Sequence, residues 1–146
     1  MRIGVAMTGA PILLGVALVL AGGSHAQQAT GKAAGHFRLS DADGKAVSLS
    51  DYRGKTVVLE WNNPGCPFVQ KHYNSGNMQK TQGAAKAAGA VWLTINSGAP
   101  GKQGYMNGPE AKAFVAGAKA QPTAYLLDPQ GRVGKGYAAK TTPHLY

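Results

Sequence analysis

Two apolar runs separated by a helical stretch constrain the fold of this chain more than any other feature of its sequence. Residues 56–61 and residues 90–96 are nearly continuous in β-branched and apolar side chains. Such runs are typical of central strands that are buried on both faces. Between them, Pro67 suits the first position of a helix, which we expect to run toward Ala88 with a weak point at residues 74–77. Because a strand, a helix and a strand in this order form a parallel sheet through a right-handed crossover, the sequence predicts an α/β architecture.

Shorter patterns extend the predicted sheet on both sides. Apolar and polar residues alternate over residues 37–39 and again over residues 47–49, with Asp43 and Gly44 between them. This arrangement predicts an N-terminal β-hairpin. Further along the chain the sequence predicts a glycine-rich loop, a short helix, a third strand and a turn or helix start, at residues 97–108, 109–119, 123–127 and 128–131.

The N-terminus is typical of an export signal. An apolar stretch over residues 10–21 leads to small residues and a cleavage site after Ala26. Because the stretch is too short to span a bilayer, we expect residues 1–26 to be a signal peptide rather than an uncleaved anchor. A flexible leader over residues 27–35 and one domain over residues 36–146 then remain. The mature chain is expected in the periplasm, without stable membrane insertion.

Charge and cysteine content exclude several classes of protein. The chain of 146 residues has 15 Lys and Arg against 6 Asp and Glu, a net charge of +9. Its lysines are spread along the chain and form no basic cluster interleaved with aromatic residues, so we expect no nucleic-acid partner. The single cysteine, Cys66, excludes an internal disulfide and a zinc site made of cysteines alone.

Cys66 is the candidate nucleophile, because it falls where a buried strand gives way to a helix. Unpaired backbone N–H groups at a helix N-terminus lower a thiol pKa from its ordinary value of about 8.5. Lys71 and His72 are candidate auxiliary residues that would add positive potential. A thiolate of this kind attacks a peroxide to give a sulfenic acid or a disulfide to give a mixed disulfide. The alternative is that Cys66 is a buried, inert side chain.

The histidines and large aromatic residues give weaker signals. His72 follows Cys66 by six residues, about 240° around a helix, which disfavours a metal pair between them. His144 is either a partly exposed strand residue or a partner of Cys66, as a thiolate neighbour or as a soft copper ligand. We predict no resident metal and no cofactor. Three aromatic residues are expected in the core or in a pocket wall: Trp61, Tyr73 and Trp92.

Four segments together resemble one known family. They are FRLSDADGKAVSLSDYRGKTVVLEW (37–61), NPGCPF (63–68), YLLDPQGRVGKGY (125–137) and TTP (141–143). In this order they resemble the thioredoxin-like redoxins that include the alkyl hydroperoxide reductase and thiol-specific antioxidant proteins. The resemblance covers about residues 37–146 and implies a thioredoxin-like fold.

The resemblance also implies roles for particular residues. In such proteins the active cysteine lies at a strand-to-helix junction, which corresponds to Cys66. A proline preceded by threonine is cis and packs against the reactive sulfur, which corresponds to Pro143. The substrate groove implied around the sulfur comprises Trp61, Pro64, Pro67, Thr142 and Pro143.

The sequence departs from the family pattern at three places. Val69 stands where a second, resolving cysteine would be, which excludes dithiol exchange within one motif. Pro64 precedes Cys66 by two residues with no Thr or Ser between them, unlike a peroxidatic signature. Only three residues follow Pro143, where similar proteins have a last hairpin and a helix, so we expect the domain to be incomplete at its C-terminus.

These observations predict an exported, single-cysteine thiol oxidoreductase or antioxidant. Its expected substrates are peroxides or disulfides, and its expected partners are a thiol/disulfide protein or a small-thiol reductant. The alternative from another class is a non-enzymatic binding module that holds a peptide or a copper ion through Cys66 and His144.

Overall fold

The computed structural model describes Gly31 and residues 33–146, so the predicted signal peptide and part of the predicted leader lie outside the described residues. The strands are β1 (Arg38–Asp41), β2 (Ala46–Ser48), β3 (Val57–Trp61), β4 (Val91–Asn96), β5 (Ala124–Leu127) and β6 (His144–Leu145). The α-helices are α1 (Pro67–Asn74), α2 (Asn77–Ala87), α3 (Gly108–Gly117) and α4 (Arg132–Gly136). A turn of 3-10 helix covers Leu49–Tyr52.

The strands form one mixed sheet in the order β2-β1-β5-β4-β3-β6. Its centre is parallel, because β4 pairs in parallel with both β3 and β5. The outer pairs are antiparallel: β1 with β2, β1 with β5, and β6 with β3. The predicted α/β class, the N-terminal hairpin and the thioredoxin-like fold are therefore confirmed.

Both faces of the sheet are covered, which explains the apolar runs of β3 and β4. Successive side chains of a strand point to opposite faces. Leu93 and Ile95, both at 0% exposure, pack with Leu59 and Trp61 on one face. Trp92 lies in a second cluster, formed with α1 and α2 side chains on the other face. Helix α1 therefore rests on the second face.

The single helix predicted from Pro67 toward Ala88 is wrong, because two helices occupy this stretch. The break falls at the predicted weak point, where α1 ends at Asn74 and α2 begins at Asn77. Gly76 has a φ of 74°, a left-handed conformation that an α-helix cannot continue through and that glycine adopts at little cost.

The last residues form β6 and pair with β3. Tyr146 exchanges two backbone hydrogen bonds with Leu59, each of 3.0 Å. Its ring packs edge-on against Trp61 with centroids 5.6 Å apart. The absence of a last hairpin and helix stays a prediction. Within Gly31 and residues 33–146, no helix has the length and apolar character needed to cross a membrane.

Candidate active site

The turn after β3 places Cys66 at the N-terminus of α1. The Asn63 carbonyl accepts the Cys66 N–H at 2.9 Å, and the Asn63 side-chain oxygen accepts the Gly65 N–H at 2.9 Å. Pro67 then occupies the first turn of the helix, where a backbone N–H has no partner within the helix, so proline loses no hydrogen bond there. The Pro64 carbonyl accepts a hydrogen bond of 3.0 Å from the Gln70 side chain. The turn is thus fixed on both sides of the sulfur.

A segment distant in sequence, Thr142 and Pro143, lies next to the cysteine. The Thr142–Pro143 peptide bond is cis, as the resemblance implies. The Cys66 thiol donates a hydrogen bond of 3.1 Å to the Thr142 carbonyl. The structure therefore brings together three of the predicted site residues: Cys66, Thr142 and Pro143.

The surroundings of the sulfur lower the pKa of the Cys66 thiol below its usual range. A hydrogen bond from the Thr142 side chain is the largest cause, and the backbone N–H groups of Val69 and Phe68 act in the same direction. Partial burial and the Thr142 carbonyl oppose them, because burial disfavours charge and a carbonyl accepts a hydrogen bond only from the protonated thiol. The net effect favours the thiolate, which is the nucleophilic form.

Trp61 is the last residue of β3, just before the turn that carries Cys66. It is 3% exposed, and its indole N–H donates a hydrogen bond of 3.1 Å to Ser97. The Ser97 hydroxyl in turn donates to buried Asp128 at 2.7 Å. Trp61 is therefore held in one orientation by a chain of polar contacts that the sequence patterns do not predict.

Lys71 and His72 lie in the last turn of α1, whereas Cys66 caps its first turn. With a rise of 1.5 Å per residue, their backbone positions are roughly 8–9 Å from Cys66 along the helix axis. The nearer ring nitrogen of His72, Nδ1, lies 2.9 Å from the Asn77 side-chain amide. The auxiliary role of both residues stays a prediction.

His144 is a strand residue directly after the cis proline. It pairs with Trp61 between β6 and β3, and its ring stacks on Tyr146 with centroids 4.6 Å apart. Its buried Nδ1 has no hydrogen-bond partner among the described residues, and none of their hydrogen bonds joins His144 to Cys66. In that part of the chain no group of three or more His, Cys, Asp or Glu side chains is placed to hold a metal ion.

The most unexpected residue near the site is Glu60, an acid at 0% exposure on the α1 face of β3. Its two carboxylate oxygens accept hydrogen bonds of 2.8–3.3 Å from five side chains: Asn62, Tyr73, Gln82, Trp92 and Thr94. A buried carboxylate is tolerated only when donors replace its lost water. The signal available in the sequence is an acidic residue inside an otherwise apolar run.

The buried carboxylate ties the active-site helix to the sheet. Tyr73 of α1 donates a hydrogen bond of 2.8 Å to Glu60 and packs in the same cluster that Cys66 contacts. Burial, then the charge of Glu60, raises the pKa of Tyr73. The same two causes raise the pKa of Tyr125 on β5. Both hydroxyls therefore stay protonated and serve as donors.

A cleft of about 400 Å³ opens next to the active-site turn. Its walls come from the end of β3, the loop after β4 and the segment before the cis proline. The residues that line it include Trp61, Asn63, Ser97, Lys102, Gln103, Lys140 and Thr142. Of the five residues predicted for the substrate groove, Trp61 and Thr142 line this cleft, and Pro64, Pro67 and Pro143 do not. Phe68, the second residue of α1, is 66% exposed and was not predicted as a site residue.

Comparison with known proteins agrees with this geometry. The sequence model of the AhpC/TSA family matches residues 30–146. An exposed lipoprotein thioredoxin from Streptococcus pneumoniae has 30% identity and a TM-score of 0.57, over 75% of this chain and 77% of that one. The thioredoxin domain of a thiol-disulfide oxidoreductase from Bacteroides vulgatus has 24% identity and a TM-score of 0.62, over 82% and 80%.

An uncharacterised conserved protein from Geobacillus kaustophilus has 25% identity and a TM-score of 0.70, over 79% of this chain and 60% of that one. The chain therefore spans about three fifths of the length of that relative. It belongs to the AhpC/TSA family and has a thioredoxin-like fold.

Proposed function

We propose that this chain is an exported thiol-disulfide oxidoreductase that acts through one nucleophilic cysteine, Cys66. The observation that carries the proposal is the environment of the sulfur. It sits at the N-terminus of α1 beside cis Pro143, and its pKa is lowered by the Thr142 side chain and by backbone amides. These are the conditions under which a thiol reacts as a thiolate near neutral pH.

In the first step the Cys66 thiolate attacks one sulfur of a disulfide. The substrate S–S bond breaks as a new S–S bond to Cys66 forms, and the leaving sulfur departs as a thiolate that takes a proton from water. Val69 stands one helical turn away, where a resolving cysteine would be. A thiol protein or a small thiol must therefore attack the mixed disulfide and release reduced Cys66.

We place disulfides ahead of hydrogen peroxide as the oxidant. Three arginines fall within the described residues: Arg38 in β1, Arg53 after the 3-10 turn, and Arg132 in α4. None of them is hydrogen-bonded to the Cys66 sulfur, which donates its hydrogen bond to the Thr142 backbone carbonyl. A peroxidase or antioxidant role would put an oxygen on Cys66 as a sulfenic acid and needs a group that polarises the peroxide.

Two further observations support protein partners outside the cytoplasm. The ring of Phe68 is exposed two residues from Cys66, where a protein that docks at the sulfur would contact it. The similarity to an exposed lipoprotein thioredoxin supports export, and we propose a periplasmic location.

Intact mass measurement tests the proposal. The reduced protein is incubated with oxidised glutathione or hydrogen peroxide at matched concentrations, and the product is followed with time. We expect one glutathionyl group per chain, formed faster than any oxygen adduct, and no adduct on Cys66→Ser with unchanged circular dichroism. Rapid addition of one oxygen at low peroxide would make the protein a one-cysteine peroxidase instead. A chain inert to both reagents would favour the binding-module alternative.

A further inference from the structure

We propose that the cleft beside Cys66 is an anion-recognition site, which selects disulfides carrying a carboxylate close to the reacting sulfur. The inference rests on the proposed exchange at Cys66 and names its substrate class. Thr142 links the cleft to the nucleophile, because it lines the cleft and its carbonyl accepts the hydrogen bond of the Cys66 thiol at 3.1 Å. Asn63, whose carbonyl accepts the hydrogen bond of the Cys66 N–H, lines the cleft as well.

The charge of this cleft has one sign. Lys102 approaches it from the loop after β4, and Lys140 from the segment before the cis proline. All six acidic residues of the chain fall within the described part, and none of them lines the cleft. The only ion pair among the described residues joins Lys112 to Asp43, so neither cleft lysine is paired with a carboxylate.

Two buried carboxylates lie behind the lining of the cleft: Glu60, which accepts a hydrogen bond from the Asn62 side chain at 3.3 Å, and Asp128, which accepts one from the Ser97 hydroxyl at 2.7 Å. Asp128 also accepts two α4 backbone N–H groups at 3.0 Å each, and Glu60 accepts four further side-chain donors. These donors offset much of the charge of both carboxylates. The field in the cleft is therefore set mainly by the two lysines.

The loop that carries Lys102 is held against the active-site turn. The Asn63 side-chain amide donates to Gln103 at 3.0 Å, and buried Asn96 donates to the Gly104 carbonyl at 2.8 Å. A Cβ at Gly104 would lie 2.2 Å from the Asn63 side-chain oxygen, and its φ of 83° also favours glycine. The backbone on both sides of Lys102 is therefore held close to the active-site turn.

The test measures mixed-disulfide formation with three symmetrical reagents that differ in charge. Oxidised glutathione carries carboxylates, 2-hydroxyethyl disulfide is neutral, and cystamine is cationic. Rate constants are compared for the full chain, for the Lys102→Gln/Lys140→Gln variant, and for a matched Lys55→Gln/Lys86→Gln control. Lys55 precedes β3 and Lys86 lies in the last turn of α2, before β4, so both are at the N-terminal ends of the parallel strands, away from the cleft. Their substitution removes the same net charge as the cleft variant.

We expect the wild type and the control to prefer oxidised glutathione over cystamine. In the cleft variant the rate with oxidised glutathione falls by about tenfold, or roughly threefold per lysine at a charge separation of about 6 Å in water, and the rate with cystamine rises. Both changes are smaller at high salt. The rate with the neutral reagent stays the same. An unchanged preference in the cleft variant, or an equal loss with all three reagents, would overturn the inference. Failure of all three reagents with the wild type would instead refute the proposed exchange at Cys66.

Discussion

Replacing Tyr73 by Phe measures the free energy that the buried Glu60 carboxylate contributes to holding α1 on the sheet. The change removes one oxygen and leaves the ring, which packs edge-on against Phe114 with centroids 5.1 Å apart. The lost hydroxyl donates to Glu60 at 2.8 Å and accepts from Gln82 at 3.2 Å. Gln82 keeps its own bond to the other Glu60 oxygen, so the main loss is one hydrogen bond to a charged acceptor.

The chain contains a matched control in Tyr125. Its ring packs edge-on against the same residue, Phe114, with centroids 6.0 Å apart, and it is as deeply buried as Tyr73. Its hydroxyl donates at 3.0 Å to the neutral side chain of Asn62. A buried hydrogen bond to a charged group contributes about 1.5–3 kcal/mol, and one to a neutral group about 0.5–1.5 kcal/mol. Tyr73→Phe should therefore lower the free energy of unfolding by roughly 1 kcal/mol more than Tyr125→Phe.

Urea denaturation followed by far-ultraviolet circular dichroism gives both values by linear extrapolation. The comparison holds if the slope against urea is the same in the wild type and in both variants. Equal losses for Tyr73→Phe and Tyr125→Phe, or a larger loss for Tyr125→Phe, would refute the reasoning. Either result would mean that Glu60 does not act as a charged acceptor for the helix that carries Cys66.

Two further substitutions test the contacts around the sulfur and the cleft. Thr142→Val should raise the Cys66 pKa, because it removes the side-chain hydrogen bond that lowers this pKa most. The profile of alkylation rate against pH should therefore shift to higher pH. An unchanged profile would contradict this cause. Ser97→Ala leaves the buried indole N–H of Trp61 without its acceptor and should cost about 1–3 kcal/mol in urea denaturation. The exposed control Ser50→Ala should cost little, and equal losses would show that the Ser97 hydroxyl is not needed.

The parts of the fold that follow local patterns could be predicted from the sequence. The central strands could be predicted because both of their faces are buried, which makes residues 57–61 and 91–96 nearly continuous apolar runs. The position of Cys66 at a helix N-terminus could also be predicted, because Pro67 indicates a helix start shortly after a buried strand. The split between α1 and α2 was seen only as a weak point, because the left-handed turn at Gly76 depends on how the two helices pack.

The rest of the site depends on contacts between distant residues. Glu60 finds its donors on α1, α2 and β4, at separations of up to 34 residues along the chain. The cleft joins Lys102 to Lys140 across two loops that share no sequence pattern. Neither arrangement has a periodicity or a motif, so the sequence shows the residues without showing which of them meet.

The pH dependence of Cys66 alkylation tests the central claim, that the fold activates this thiol, most directly. The rate of reaction with iodoacetamide is measured against pH for the native protein and for the same protein unfolded in urea, which serves as the internal reference. A lowered native pKa predicts that the native midpoint lies below the unfolded one, with faster alkylation at neutral pH than in the unfolded chain. A native midpoint equal to or above the unfolded midpoint, with no gain in rate at neutral pH, would contradict the claim.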